Sequence, residues 1–155
     1  MCLTLVAQEP THGWSIVKTL ATEGELGRIW SLSRPLTYRA LTALSDAGLI
    51  ESQGSEPGGG PPRAIWRVTA KGKRASQAWL RRPVEHPRDM RTEFLLKVAL
   101  GAPTADLARK QLEKFAPVFA GLRRSAHADP SDVVASWRLE SAEATRRFLQ
   151  SLVRG

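Results

Sequence analysis

Cysteine occurs once among the 155 residues, at Cys2, so no disulfide can form within the chain. A lone thiol near one end supplies neither a metal cage nor a redox pair, and a reducing compartment is the expectation. Long apolar runs are missing as well. None approaches the roughly 18 residues of a membrane span, and the N-terminus has neither the basic start nor the apolar length of a secretory signal. The chain is therefore expected in the cytoplasm, with no membrane partner. Histidine is scarce and scattered, at His12, His86 and His127, without metal-ligand spacing. Glu85, His86 and Asp89 lie near one another, but around a Pro-bounded helix start, where acids and caps belong. Gly58, Gly59 and Gly60 fall in a hairpin tip and not at a strand-to-helix turn, so no phosphate-cradling loop is present. No metal, no cofactor and no enzymatic activity are expected.

Acidic residues are in deficit: 15 Asp and Glu stand against 23 Lys and Arg, a formal net charge of +8 with a pI near 10.5. Residues 1–83 hold 11 cations against 6 acids and residues 84–155 hold 12 against 9, so the excess leans toward the first half. Such a balance favours a polyanionic partner.

Ser33 to Gly72 shows where that partner would bind. Ser33 is a good N-cap residue and Pro35 follows at an early helical position, where a missing N–H costs little. Leu36, Ala40, Leu44 and Ala47 recur at spacings of three and four and predict the packed face, while Arg34, Tyr38, Thr42 and Ser45 fall on the opposite side. Gly48 offers the positive φ that a helix end often needs. Leu49 and Ile50 then begin an extended run, Gly54 and the residues from Pro57 to Pro62 predict a long loose turn, and Ala64 to Thr69 returns as a second strand. Arg63 sits in the turn, with Lys71, Lys73 and Arg74 just beyond; these cations suit a phosphate backbone or an ordinary solvated surface. A helix followed at once by a hairpin in a basic chain suggests a winged helix-turn-helix, whose last helix enters the major groove.

Two shorter helices precede this stretch, one over the apolar Leu3, Leu5, Val6 and Ala7, the other over Trp14 to Thr22 with Thr11 as its cap. Leu26, Ile29, Trp30 and Leu32 are expected in the core. After the hairpin, Thr69 caps a helix to about Arg82 with Ala75, Ala78, Trp79 and Leu80 inward, and Pro83 ends it. Further helices are expected over Arg88 to Leu100, with Phe94, Leu95, Val98 and Ala99 packing, and over Thr104 to Ala116, which Pro117 should kink or stop. Asp129, Pro130 and Asp132 announce the last helix as cap, first-turn proline and first-turn acid. In it Val134, Trp137, Ser141, Ala144, Phe148 and Ser151 step by three and four, a seam for packing along another helix, within the chain or in a second copy. The fold class is thus mainly α with a small β-hairpin. A winged helix-turn-helix DNA-binding domain over 1–83 would precede an α-helical dimerisation and effector-binding domain over 84–155.

The chain resembles the PadR family of bacterial transcriptional regulators. The resemblance rests on His12-Gly13-Trp14, on Ser33 to Leu41 (SRPLTYRAL), on Ala47-Gly48-Leu49-Ile50, on Pro61-Pro62-Arg63 and on Val68 to Gly72 (VTAKG). It extends to about residue 100 through Pro83 to Asp89 and Glu93 to Lys97, which look like members with a longer C-terminal domain. No single motif is highly specific; their order and spacing are. The resemblance implies a homodimeric repressor paired through its C-terminal helices, bound to double-stranded DNA at a palindromic operator and released by a small, often aromatic effector. By position, Arg34, Thr37, Tyr38, Arg39 and Thr42 would face the major groove, Arg63 would sit in the wing, and His12 with Gly13 would lie near a phosphate. Trp14 stands where the family usually has Tyr and is expected to keep an aromatic core role. Val134, Trp137, Ala144 and Phe148 are candidates for the dimer interface. Trp79 and Trp137 are candidates for stacking a planar effector. The alternative is a winged-helix module that docks a protein or RNA through its basic face, without sequence-specific operator binding.

Overall fold

The computed structural model describes residues 1–58 and 60–154 and, outside 55–63, their side chains. Helix α1 (Cys2–Gln8) leads into a short strand β1 (Thr11–His12), α2 (Gly13–Leu20) and α3 (Arg34–Asp46). Strands β2 (Ile50–Gly58) and β3 (Gly60–Val68) follow, then α4 (Ala70–Arg81), a 3-10 turn (Pro87–Arg91), α5 (Glu93–Ala99), α6 (Thr104–Ala128) and α7 (Val133–Arg154). The sheet is antiparallel in the order β1-β3-β2. This is the mainly helical winged helix-turn-helix with a helical C-terminal region that the sequence led us to expect. The chain divides into two compact units, Met1–Leu80 with Leu95–Leu100, and Arg81–Phe94 with Gly101–Gly155. The sequence assigned all of 84–155 to the second part, whereas Leu96 and Leu100 lie in the core of the first.

In the first unit Val6, Ile16, Leu20, Leu26, Leu41 and Ile50 form the buried centre, each contributing about 1.5–3 kcal/mol by leaving water. Cys2 is part of it, and burial pushes its thiol pKa up. Trp30, expected inside, is exposed. Thr11 does not cap α2: it belongs to β1, pairing with Trp66, and His12 takes the cap position.

The packed face of α3 is rotated from the expected one. Thr37 and Leu41 are buried, Ala40 and Leu44 half-buried, and Leu36 and Ala47 exposed. The helix carries enough apolar residues for two overlapping faces, and the one containing Leu41 reaches the core. Thr37 is tolerated there because its hydroxyl donates to the Ser33 carbonyl at 3.1 Å. Ser33 occupies the N-cap position, but its side chain makes no capping hydrogen bond.

The ribbon pairs Ile50 with Val68 and Ser52 with Trp66, shifts register between Ser52 and Ser55, and continues to Gly58 opposite Gly60. Gly54, at φ +65, lies within that shift. The ladder therefore runs well into the segment expected as a loose turn. At its base Thr69 caps α4, its hydroxyl oxygen accepting the Gly72 N–H at 3.1 Å. Ala75 and Ala78 are exposed; the inward positions are Gly72, Ser76, Trp79 and Leu80, with Ser76 donating to the Thr4 hydroxyl at 3.1 Å.

Further departures lie beyond α4. The helix expected over Arg88 to Leu100 is broken at Thr92 (φ −123, ψ −81), so the 3-10 turn and α5 are separate, and within 93–100 Phe94, Leu96, Lys97 and Leu100 are buried while Ala99 is exposed. Helix α6 passes through Pro117, although proline leaves the Glu113 carbonyl without its helical donor. The inward stripe Leu107, Gln111, Phe115 and Phe119 steps by four across the proline, and the two Phe rings meet edge to face at 5.8 Å. On α7 the buried seam is Ala135, Ala142 and Leu149. Its cap is Asp132, whose Oδ1 accepts from the N–H groups of Val134 at 2.9 Å and Ala135 at 3.0 Å, so the helix starts three residues later than Pro130 implied. Asp129 instead closes a turn on Ser131.

Candidate nucleic-acid interface

The outer face of α3 presents Arg34, Tyr38, Arg39 and Thr42, all exposed. Tyr38, Arg39 and Thr42 line one shallow concavity with Pro35, Ala43 and Asp46. Hydrogen-bond donors, a phenol and a hydroxyl on one accessible helical face are the chemistry that base edges and phosphates require. Thr37 does not share that face. It is 0% exposed with its hydroxyl committed to Ser33, so its assignment to the groove is corrected.

Arg34 opens α3 and lies against two rings. Its guanidinium carbon is 5.5 Å from the Trp14 ring centroid and 5.9 Å from that of Tyr38. Trp14 is 40% exposed, so the core role expected for it is also corrected: its ring supports a cation at the surface. The Tyr38 ring reaches this position because residue 13 is glycine. A Cβ there would stand 2.9 Å from Tyr38 Cε1 and 3.3 Å from Leu41 Cδ1. The sequence reading missed this cluster; its signal was an aromatic residue directly after Gly13 at the start of α2.

Lys71 is exposed, yet its ammonium donates to the Ala47 carbonyl at 2.8 Å and so closes the C-terminal end of α3. One of its three N–H donors is used there, and the others face solvent beside the end of the helix. His12 is half-buried in β1, opposite Ile65 and at the N-cap of α2. Arg63 pairs with Glu56 in the backbone ladder, and its side chain lies outside the described residues.

The aromatic candidates fall in different units. Trp79 is half-buried against the first core, with the Lys97 ammonium 5.2 Å from its ring centroid. Trp137 is 71% exposed on α7. It borders a groove of about 780 Å³ within the second unit, together with Met90, Leu122, Arg88, Arg91 and Arg138. Val134, Ala144 and Phe148 are exposed on the same helix, with Phe148 edge-on to Phe94 at 6.4 Å. Among the described residues no helix is long and apolar enough to cross a membrane, and no group of His, Cys, Asp and Glu is placed to hold a metal ion.

Residues 2–78 match the family model described as the transcriptional regulator PadR-like family. No curated protein matches the chain. Among solved structures it is similar to Bacillus subtilis PadR in complex with operator DNA, at 24% identity and TM-score 0.50, over 97% of this chain and 94% of that one. It is also similar to smu.1604c from Streptococcus mutans UA159 (17% identity, TM-score 0.49, 99% and 96% covered). The B. subtilis PadR structure with p-coumaric acid aligns at 24% identity and TM-score 0.46, covering 97% and 90%.

Proposed function

Because the chain belongs to the PadR-like family of transcriptional regulators, which are regulators and not enzymes, we propose that it is a homodimeric repressor. It would act in the cytoplasm, where the promoters it occupies are found. The observation that carries this reading is the outer face of α3, where Arg34, Tyr38, Arg39 and Thr42 stand exposed on a helix whose other side is anchored by Leu41. Such a helix fits the major groove. The fold shared with a PadR that was crystallised on operator DNA is compatible with this use.

One such helix reads too few base pairs to specify a site, so two copies would act on a palindrome. The exposed row Val134, Trp137, Ala144 and Phe148 on α7 supports pairing through that face. A small aromatic effector would stack on Trp137 with its negative charge toward Arg88, Arg91 or Arg138. Seated at the subunit boundary, it would favour one dimer geometry and so change the spacing of the two reading helices.

Selection of bound duplexes from a random pool at physiological salt tests the reading. A palindrome with half-sites about one helical turn apart is expected. Binding that weakens with salt but enriches no sequence would refute it and favour docking of another partner.

A further inference from the structure

One exposed cation on the outer face of α3 lies beside two aromatic rings. Arg34 is exposed and could sweep a wide volume, yet it lies against Trp14 from α2 and Tyr38 from its own helix, at 5.5 and 5.9 Å. Among the described residues no carboxylate pairs with it. A guanidinium that meets a ring with its flat face keeps its N–H edge and full charge available. The two rings also have fixed footings, since Tyr38 is seated over Gly13 and Trp14 is the next residue of the same helix.

The two ligands open to such a cation differ in what they ask of it. A phosphate accepts a swinging point charge from many directions. A guanine edge requires two N–H groups in one plane, aimed together at O6 and N7. Holding the guanidinium edge-out therefore helps base reading far more than phosphate contact, and the first residues of a reading helix are those that approach base edges.

We propose that Trp14 is a specificity-determining positioning residue: with Tyr38 it fixes the Arg34 guanidinium edge-out for bidentate recognition of a guanine in the major groove. The proposal rests on the operator-reading function above and adds to it the base class that Arg34 reads and the residue that sets its aim. Gly13 belongs to the same device, because any side chain there displaces the Tyr38 ring.

The test compares affinities of the full-length protein for the duplex it selects and for a scrambled duplex. Trp14→Leu keeps apolar bulk and removes the π face; it should lower the preference for the selected duplex about three- to fivefold. Affinity for the scrambled duplex and the salt slope should stay unchanged. Trp14→Phe should retain the preference, and Arg34→Ala should lower it about tenfold or more. Adding Trp14→Leu to Arg34→Ala should cost nothing further. Arg34→Lys keeps the charge but loses the planar fork; it should lose the preference at an unchanged salt slope, a readout that stands even if the Trp14 variants fold poorly. The proposal is overturned if folded Trp14→Leu keeps the wild-type preference, or weakens both duplexes alike with a shallower salt slope, which would mark Arg34 as a phosphate contact. It is also overturned if Arg34→Lys binds and discriminates like wild type. A wild-type protein that prefers no duplex would instead overturn the operator reading, and the positioning role with it.

Discussion

The Thr69 hydroxyl donates to the carbonyl oxygen of Gly48 at 2.8 Å, joining the end of α3 to the start of α4. Around it the Thr69 N–H donates to the Leu49 carbonyl at 3.0 Å, and Lys71 closes on Ala47. A Cβ on Gly72 would come within 1.9 Å of the Leu49 carbonyl oxygen. Helix α3 is thus tied at its far end by residues beyond the ribbon. Thr69→Ala should destabilise the protein by about 1–2 kcal/mol, through the lost cap and the lost bond to Gly48. Thr69→Ser should stay close to wild type, and Gly72→Ala should cost more than either. Urea unfolding of the three variants checks the order.

In the second unit Gln111 clasps the Val84 peptide, its Oε1 accepting from the Val84 N–H at 2.7 Å and its Nε2 donating to the Val84 carbonyl at 3.1 Å. Both residues are buried. Gln111→Leu fills similar space but strands two backbone groups, and should cost about 2–4 kcal/mol in an unfolding titration.

Thr37, placed in the groove by the family resemblance, is enclosed, and Leu36, placed on the packed face by helical spacing, is exposed. Thr37→Val should leave affinity for the selected duplex at the wild-type level, because the residue is enclosed. Leu36→Ala should shift stability by no more than about 0.5 kcal/mol, as surface substitutions do. A large loss of DNA binding in folded Thr37→Val would contradict the rotated face.

Hydrogen bonds from Arg123 and then Arg146 hold the Glu143 carboxyl below the usual carboxylate range. Lys114 does the same for Glu85 and Lys110 for Asp106. Each group binds its proton less tightly when folded than when unfolded, so the stability it adds is present above the unfolded value of about 4.3 for Glu and 3.9 for Asp. That stability is lost as pH falls through the lower folded value. Melting temperature should drop on acidification below about pH 4.5. Glu143→Gln should show a shallower drop, and 1 M salt should narrow the difference.

The exposed row on α7 predicts an association that depends on concentration. Trp137→Glu should shift sedimentation toward the monomer while leaving the helical circular dichroism intact, since residue 137 lies outside the buried seam of Ala135, Ala142 and Leu149. Unchanged sedimentation would place the contact elsewhere.

Particular residues mark how far the sequence could be read. Pro35, Gly48 and Thr69 located the bounds of α3 and the start of α4, because each acts through local backbone chemistry that spacing reveals. Of the groove candidates, Arg34, Tyr38, Arg39 and Thr42 are brought to one exposed face. What spacing missed was tertiary. Thr37 entered the core because Leu41 points there, Lys71 reaches a helix end 24 residues away in sequence, and Lys97 lies over the Trp79 ring. Local periodicity carries none of these. Pro117 passed inside α6 for a similar reason, as Phe115 and Phe119 hold the two sides of the proline in one stripe.

The most direct test of operator reading by α3 is the ratio of affinities for the selected duplex and a scrambled one at physiological salt, measured for wild type and for Arg39→Ala. Wild type should prefer the selected duplex by at least about 10³, with Arg39→Ala losing a substantial part of that preference or of the overall affinity. Equal affinity of the wild type for both duplexes would contradict it.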